Sequence, residues 1–310
     1  MIPLIEPVAL SLLHSELNDI TFLRSTNNGS NQIYDVNIHN APNTLREIGR
    51  LRELTFREAG GGTGLDCDLD ELDTCKSCYN QLVVWNPDEN EIVGGYRYIR
   101  CGDAGINENG FLMLATNELF SFSEKFKKEF LPYTIELGRS FVQPKYQPRP
   151  ENRKGLFSLD NLWDGLGALV IENPDMKYFF GKVTMFRHFN LIARDYILAF
   201  LQHYFNDADQ LVTPIHALPI TNDISSFVNE IKNLDYKEAH KILNTKVREL
   251  GENIPPLINS YMNLSPTMRS FGTALNEHFG DVEETGILVT LKDMYESKVG
   301  RHINTYTKGK

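Results

Sequence analysis

Residues 92–98 have the sequence IVGGYRY, and residues 136–142 have the sequence ELGRSFV. β-Branched and aromatic residues dominate both stretches, so each one predicts a strand. Three ionisable side chains interrupt them: Arg97, Glu136 and Arg139. A charged group in such a strand costs free energy unless it is paired or used chemically. The two stretches therefore predict a sheet and, on it, a candidate functional site.

An acidic cluster lies upstream of both strands. It contains five carboxylates within eight residues: Asp66, Asp68, Asp70, Glu71 and Asp73. Like charges this close repel one another, so a functional reason is plausible, although the cluster taken alone favours a solvated loop. The spacing differs from that of an EF-hand, which needs a glycine at loop position six and a glutamate at position twelve. The alternative is a solvated loop that binds at most a cation.

The pattern of apolar residues predicts a mixed α/β chain. A pair of strands at 81–85 and 92–99, joined by Asn86-Pro87-Asp88-Glu89-Asn90, has the signature of a hairpin. Further strands are predicted at 32–38, 111–114, 133–142, 178–183 and 286–291. Helices are predicted at 44–58, 117–130, from 160 onward, at 185–205 and, as a pair, within 222–250.

The length of 310 residues allows one large domain or two smaller ones. We predict an N-terminal extension over 1–30, a core over 31–206, a helical insertion over 207–252 and a C-terminal segment over 253–310 that completes the core. The net charge of −10 argues against a duplex nucleic-acid partner. Since no stretch reaches the roughly 18 apolar residues of a spanning helix, we expect a cytoplasmic protein whose membrane contact, if any, is peripheral.

Two other motifs favour structural roles. The glycine run at 60–64 lacks the Gly-Lys-Ser/Thr ending of a phosphate-binding loop and follows a predicted helix, which favours a flexible turn. Cys75 and Cys78 have zinc-knuckle spacing without a second pair of ligands, so we interpret them as free thiols. We therefore predict no metal site.

Three blocks occur in order along the chain: Asp68-x-Asp70-x-x-Asp73, Val93-Gly94-x-x-Arg97 and Glu136-x-x-Arg139. This order resembles the acyl-homoserine-lactone synthase branch of the GNAT-type acyltransferases. The closer resemblance is to the hemolysin-like N-acyltransferases, which include ornithine lipid and glycine lipid synthases. Residues 136–142 are similar to that family's Glu-x-Gly-Arg-Ser-x-Val strand, and the resemblance spans roughly residues 40–290.

The resemblance implies a GNAT-like fold, with a central mixed, mostly antiparallel sheet and an added C-terminal helical region. It implies transfer of a long-chain, 3-hydroxylated acyl group from acyl carrier protein to the amine of glycine or ornithine, which gives a lyso-aminolipid. The co-substrate would be an acyl-phosphopantetheine thioester, and no cofactor would be bound permanently. A non-catalytic GNAT-like binding protein and an acetyl-CoA-dependent acetyltransferase remain as alternatives.

The resemblance also assigns roles to residues. Glu136 would accept a proton from the acceptor's ammonium group, while Arg97 and Arg139 would hold its carboxylate or brace Glu136 and the acidic loop. A purely structural ion pair between Glu136 and Arg139 is the alternative. The candidate substrate-binding residues are Asp68, Asp70, Asp73, Ser140 and Val142.

Two departures from the family refine the expectation. Where the family often has an Asp-His pair after its acidic block, this chain has Tyr79-Asn80-Gln81, and the tryptophan of the lactone synthases is absent. The usual GNAT pyrophosphate loop is missing after Val142, which favours an acyl-carrier-protein donor. Because acyl carrier proteins are acidic, docking would need a basic surface. The candidates are Lys145, Arg149, Arg153 and Lys154, and a weaker second group is Lys125, Lys127 and Lys128.

Overall fold

The structure, a computed structural model, describes residues 2–147, 155 and 157–308. Within these residues the strands are β1 Phe22–Ser25, β2 Gln32–Val36, β3 Asn80–Asn86, β4 Glu91–Arg100, β5 Phe120–Phe122, β6 Thr134–Val142, β7 Tyr178–Met185, β8 Val212–Pro214, β9 Arg269–Asn276 and β10 Val282–Thr290. The α-helices are α1 Leu10–Glu16, α2 Pro42–Glu58, α3 Glu71–Thr74, α4 Ser158–Glu172, α5 Leu191–Tyr204, α6 Ser225–Ile231, α7 Tyr236–Glu249, α8 Pro256–Met262 and α9 Glu296–Lys298.

The chain divides into two compact units. The first consists of Met1–Ala115, Pro132–Lys177 and Tyr295–Lys310. Its sheet has the strand order β1-β2-β3-β4-β6, and each neighbouring pair is antiparallel. Helix α4 packs against β3 and β4, and α2 packs against β6. The predicted hairpin is therefore confirmed as β3 and β4.

A bulge interrupts the pairing of β4 with β6. Gly95 pairs with Phe141 and Arg97 pairs with Gly138, so two residues of β6, Arg139 and Ser140, face one residue of β4. Arg139 has a φ of 46°, in the left-handed region that non-glycine residues rarely adopt. The bulge changes the direction of the Arg139 side chain from the one it would have in a regular strand. Arg139 is one of the candidate site residues of the sequence.

The second unit consists of Thr116–Leu131 and Tyr178–Met294. Its strands follow the order β7-β10-β9, all antiparallel, and β5 pairs with β8 in a separate ribbon. Phe180 and Phe271 pack edge to face with each other at 5.8 Å, and Phe126 joins both. This aromatic cluster anchors the segment that leads from β5.

Most predicted elements are confirmed, since the structure has strands or helices at 32–36, 42–58, 80–86, 91–100, 134–142, 158–172, 178–185, 225–231, 236–249 and 282–290. Two predictions are wrong, the second only in part. Residues 111–114 form an isolated bridge, Leu112 with Ile106, and no strand. The helix predicted at 117–130 is wrong over its first half, where β5 forms, and right only from Glu124 to Phe130, which are helical and end in the π-helix Phe126–Phe130. Packing of Phe122 against Phe180 outweighs the local helical preference in the first half.

Two further differences concern the second unit. The predicted helix at 185–205 begins only at Leu191, because Asn190 caps it by accepting hydrogen bonds from Ile192 N and Ala193 N at 2.9 and 3.2 Å. Strand β9 was not predicted at all. The predicted domain limits at 30, 206 and 252 stay a prediction.

The glycine-rich loop binds a side chain of the protein itself. Its backbone N–H groups at Thr63 and Gly64 donate to the buried carboxylate of Glu53 at 2.9 and 2.8 Å, and Gly62 and Gly64 have positive φ. Burial alone would raise the pKa of Glu53, but the Arg57 guanidinium and these N–H groups lower it. The loop is a turn, as predicted, and its hydrogen bonds to Glu53 hold it against α2.

No helix in the described part of the chain is both long and apolar enough to cross a bilayer. Helix α1 buries Leu13 and Glu16 and leaves Leu10 and Leu12 exposed.

Gly94 gives a test of the β4–β6 contact. A Cβ added at this position would fall on the backbone carbonyl of Phe141, which cannot move without shifting β6. We expect Gly94→Ala to lower the free energy of unfolding by roughly 1–3 kcal/mol, as overpacking does. Gly300→Ala is the control, because a Cβ there meets nothing within 4 Å. Denaturant titration measures both, and equal stability of the two variants would contradict the close contact.

Candidate active site

A buried arginine on α2 organises the acidic cluster. Arg52 is fully buried, and its Nε donates to Asp68 Oδ2 at 3.1 Å. Its two terminal nitrogens donate to Asp73 at 3.3 and 2.7 Å, and one of them also donates to the backbone carbonyl of Asp68. Asp68 and Asp73 are themselves fully buried. Two of the five carboxylates of the acidic cluster are thus enclosed, and the solvated-loop interpretation is wrong for these two residues.

Two strand arginines complete the arrangement. Arg97 on β4 donates from one terminal nitrogen to Asp70 at 2.7 Å and to Asp73 at 3.2 Å. Arg139 on the β6 bulge pairs with Asp68, with Nε to Oδ2 at 3.0 Å, and lies 4.0 Å from Asp70. We call these six residues, Arg52, Arg97, Arg139, Asp68, Asp70 and Asp73, the Arg–Asp cluster.

The Arg–Asp cluster is balanced in charge, since three guanidinium groups meet three carboxylates. Burial alone would raise the pKa of Asp73, but Arg52 and Arg97 hold it well below its usual range, so the group is ionised. Among the described residues, no group of three or more His, Cys, Asp and Glu side chains is placed to hold a metal ion. Arginines therefore take the place that a cation would occupy in the acidic cluster.

Secondary structure explains why the cluster forms. Asp70 caps the short helix α3 by accepting from Asp73 N at 3.1 Å, while Asp73 accepts from Asp70 N, which is a reciprocal capping box. Gln81 on β3 lies opposite Arg97 and donates to Asp73 at 2.9 Å. Gly138 lies opposite Arg97 on the other side and leaves room for its side chain. The capping box thus positions the carboxylates of Asp70 and Asp73 independently of the arginines that pair with them.

Glu136 lies on the same face of the sheet, next to the Arg–Asp cluster. It is 1% exposed, and the phenol of Tyr79 donates a hydrogen bond to its Oε2. Tyr79 is fully buried and accepts a hydrogen bond from Ala115 N at 3.0 Å. Burial and the Glu136 charge raise the pKa of Tyr79 well above its usual value, so the phenol stays protonated and acts as the donor.

The carboxylate of Glu136 has a second titratable neighbour. Cys101 follows β4 and is buried, and its pKa is raised well above the usual value by burial and by the Glu136 charge. Arg97 lies over the ring of Tyr79, with 5.0 Å from the guanidinium carbon to the ring centroid. The phenol therefore lies between the Arg–Asp cluster and Glu136.

The structure brings most of the predicted site residues together. Arg97, Arg139 and the three aspartates form one cluster, and Ser140 and Val142 lie half-buried on β6 beside it. Arg139 pairs with Asp68 and Asp70, and Arg97 pairs with Asp70 and Asp73, so both arginines hold the acidic loop. Their role toward the acceptor's carboxylate stays a prediction.

The predicted docking residues are only partly described. Lys145 is exposed, and its ammonium group pairs with Glu91 at 2.7 Å. Arg149, Arg153 and Lys154 lie outside the described residues. In the weaker group, Lys125 pairs with Asp209 at 3.1 Å, and Lys127 and Lys128 pair with Glu124.

Sequence reasoning missed Arg52 and Tyr79. A signal for Arg52 existed, because it lies four residues after Ile48 on the apolar face of α2, where a charge needs a buried partner. Tyr79 had no such signal, since a tyrosine before a strand is ordinary. Cavity volume gives no signal for the site either. A cavity of about 480 Å³ lies in the second unit and one of about 290 Å³ in the first, and neither is lined by Glu136 or by the Arg–Asp cluster.

Comparison with known proteins gives the class. Residues 51–153 match the acetyltransferase (GNAT) domain family, and this range includes the acidic cluster, β4 and β6. Together with the mixed α/β fold and its mostly antiparallel strands, this identifies a GNAT-related acyltransferase. A solved structure of a CoA-dependent acyl-homoserine lactone synthase with SAM and isopentyl-CoA aligns over 88% of each chain, with 11% identity and a TM-score of 0.39.

Two relatives define the family. The glycine N(alpha)-acyltransferase of Bacteroides thetaiotaomicron is 54% identical over 98% of this chain and 90% of its own length. That of Phocaeicola vulgatus is 52% identical over 98% of this chain and 94% of its own length. The chain belongs to the glycine N(alpha)-acyltransferase family, and it is an amino acid N-acyltransferase. The non-catalytic alternative is therefore set aside.

Arg52 gives a direct test of the Arg–Asp cluster. Arg52→Met removes a cation and leaves the buried carboxylates of Asp68 and Asp73 short of a partner, which is typically worth about 3–5 kcal/mol. We expect a loss of unfolding free energy of that size in denaturant titrations. Arg46→Met on the exposed face of the same helix is the control and should change stability little. A variant at position 52 as stable as this control would show that the cluster does not stabilise the fold.

Proposed function

We propose that this enzyme transfers a long-chain, 3-hydroxylated acyl group from acyl carrier protein to the amine of glycine, giving an N-acylglycine that is a lyso-aminolipid. The observation that carries the acceptor is the match to two glycine N(alpha)-acyltransferases over 98% of this chain. Glycine is therefore preferred to ornithine. The co-substrate is an acyl thioester of a phosphopantetheine group.

The chemistry requires a base, because the ammonium form of glycine has no lone pair with which to attack a thioester. We assign this role to Glu136, which takes one proton from the ammonium group directly or through water. The amine nitrogen then attacks the thioester carbonyl carbon, the carbon–sulfur bond breaks, and the thiolate leaves and takes up a proton. The placement of Glu136 on β6, on the same face of the sheet as Arg97 and three residues before the bulge at Arg139, supports the assignment.

The bulge also supports a role for the β6 backbone. Arg139 and Ser140 are skipped in the pairing register between β4 and β6, so their backbone groups lie outside that ladder. In the proposal, backbone N–H groups of this strand stabilise the oxyanion that forms on the thioester carbonyl. Such donors need a rigid backbone, and the pairing of Arg139 with Asp68 supplies it.

Burial divides the substrate-binding candidates. Asp68 and Asp73 are fully enclosed, whereas the side chain of Asp70 is 35% exposed and that of Arg139 is 13% exposed. In the proposal, Asp70 and Arg139 form the edge of the Arg–Asp cluster that reaches substrate. Asp68 and Asp73 act through the arginines that they hold, and Ser140 and Val142 contact substrate from β6.

The donor assignment rests on charge. The basic segment at 145–154 carries four cationic residues against one glutamate, and the structure shows that Lys145 already has an acidic partner in Glu91. Docking of an acidic carrier would therefore depend chiefly on Arg149, Arg153 and Lys154. Because the product is an amphiphile, peripheral contact with the inner face of the membrane belongs to the same proposal.

Glu136→Gln tests the base. The substitution keeps the shape of the side chain and removes the proton acceptor, so turnover should fall by about 10²–10⁴-fold. Thiol release from an acyl thioester in the presence of glycine is the measurement. Asp35→Asn is the matched control, since Asp35 is a carboxylate of the same sheet that also accepts a hydrogen bond from a tyrosine, Tyr98, at 2.7 Å. Wild-type turnover in a folded Glu136→Gln protein would refute the base assignment.

A charge-reversed variant tests the donor. Replacing Arg149, Arg153 and Lys154 by Glu should slow the reaction with acyl carrier protein, most strongly at low salt, and leave the reaction with a small pantetheine thioester nearly unchanged. Lys237→Glu with Lys241→Glu is the control, because both are exposed lysines of α7 that belong to neither candidate docking group. Equal losses with both donors would mean that the segment shapes the active site and does not dock the carrier.

A further inference from the structure

We propose that Tyr79 is a positioning residue of the acyl transfer: its hydroxyl orients the carboxylate of Glu136 and keeps it in the ionised, proton-accepting form. This inference deepens the proposed function and rests on the assignment of Glu136 as the base. The observation behind it is the hydrogen bond from the Tyr79 phenol to Glu136 Oε2, made between two fully enclosed side chains.

The direction of this hydrogen bond is fixed by its surroundings. The Tyr79 oxygen accepts a hydrogen bond from Ala115 N at 3.0 Å, so its proton is directed to the carboxylate and not to the backbone. A carboxylate that accepts a hydrogen bond is stabilised in its charged form relative to its protonated form. Burial to 1% exposure by itself favours the protonated acid, which cannot act as a base, and the hydrogen bond from Tyr79 opposes that effect.

Tyr79 is held firmly enough to do this. Its backbone N–H donates to Leu72 O at 2.8 Å, which ties it to the end of α3, and Arg97 covers its ring at 5.0 Å. The same Arg97 pairs with Asp70 and Asp73. The Arg–Asp cluster therefore fixes the ring, and the ring fixes the base.

The other charged and titratable groups near Glu136 are consistent with this role. Cys101 faces it from the end of β4, and its raised pKa keeps the thiol neutral. Arg97 reaches the site from β4, with its guanidinium carbon 5.0 Å from the centroid of the phenol ring. Tyr79 thus contacts both a cation of the Arg–Asp cluster and the carboxylate of Glu136.

Tyr98 provides a matched comparison. Its hydroxyl also donates to a carboxylate on this sheet, Asp35 Oδ2 at 2.7 Å, and it is 5% exposed. Tyr98 is not connected to the Arg–Asp cluster by any hydrogen bond recorded among the described residues. Tyr98→Phe therefore removes the same kind of hydrogen bond at a comparable depth without touching the proposed base.

The test is the variant Tyr79→Phe, which removes the hydroxyl and keeps the ring under Arg97. We expect kcat to fall about 10- to 100-fold, the range for loss of a hydrogen bond to a charged group. The acid limb of the kcat/KM–pH profile should move to higher pH, because the charged form of the base has lost a donor. Tyr98→Phe should leave the limb where it is in the wild type.

A double variant separates positioning from mere stability. If Tyr79 acts through Glu136, adding Tyr79→Phe to Glu136→Gln should cause no further loss of kcat. Two results would overturn the proposal for Tyr79 and leave Glu136 as the base. One is a kcat of the double variant that falls by the product of the two single losses. The other is an acid limb that stays in place in Tyr79→Phe while the melting temperature falls. Full activity of Glu136→Gln alone would instead overturn the base assignment, and the role of Tyr79 would fall with it.

A variant that folds poorly does not block the test. Tyr79→Phe can be assayed at a temperature at which its near-ultraviolet circular dichroism matches that of the wild type, with Tyr98→Phe measured in parallel. The pH profile reports the position of the acid limb at any fraction of folded protein, because that fraction scales the amplitude and leaves the midpoint unchanged over the pH range where folding is constant. A midpoint identical to that of the wild type would refute the inference.

Discussion

The pairing of three arginines with three aspartates is the constraint on which the first unit depends. Arg52, Arg97 and Arg139 come from α2, β4 and β6, and all three carboxylates come from the six residues 68–73. None of the enclosed charges would be tolerated alone, because an unpaired ion inside the protein costs several kcal/mol. The helix, the acidic loop and both strands must therefore come together in one arrangement or leave charges unpaired.

The ion pairs of the Arg–Asp cluster favour one arrangement of the chain more than they add to its free energy of unfolding. A buried ion pair gains little over well-packed apolar groups of the same volume, yet the loss of one partner is costly. The β6 bulge carries a different cost, backbone strain, because Arg139 adopts a φ of 46° there. The ion pair and charge-assisted hydrogen bond from Arg139 Nε to Asp68 offset the strain of that conformation, which is of order 1–3 kcal/mol. The strained residue is thus held in place by the acidic loop.

In the proposed mechanism, the charges that hold the fold are separate from the charge that takes part in the chemistry. The Arg–Asp cluster is neutral as a group. Glu136 instead accepts a hydrogen bond from the phenol of Tyr79, which remains protonated. A base must be able to take up a proton near neutral pH, and a carboxylate held directly by guanidinium groups does so poorly, as the lowered pKa of Asp73 shows. A neutral donor such as Tyr79 orients a carboxylate without suppressing its basicity to the same degree.

From the sequence by itself came the mixed α/β class, the β3–β4 hairpin, strand β6, helix α2 and the set of charged residues that had to be explained. These follow from local periodicity, turn residues and the cost of charge in an apolar strand, all of which act over short distances along the chain.

The partners of those charges did not follow from the sequence. In a regular strand Glu136 and Arg139, three residues apart, would face opposite sides of the sheet, and only the bulge changes this. Arg52, 45 residues from Arg97 along the chain, and Tyr79, 57 residues from Glu136, reach the site only through the tertiary fold. Contacts across such separations depend on how helices and strands pack, and no local pattern in the sequence records that packing.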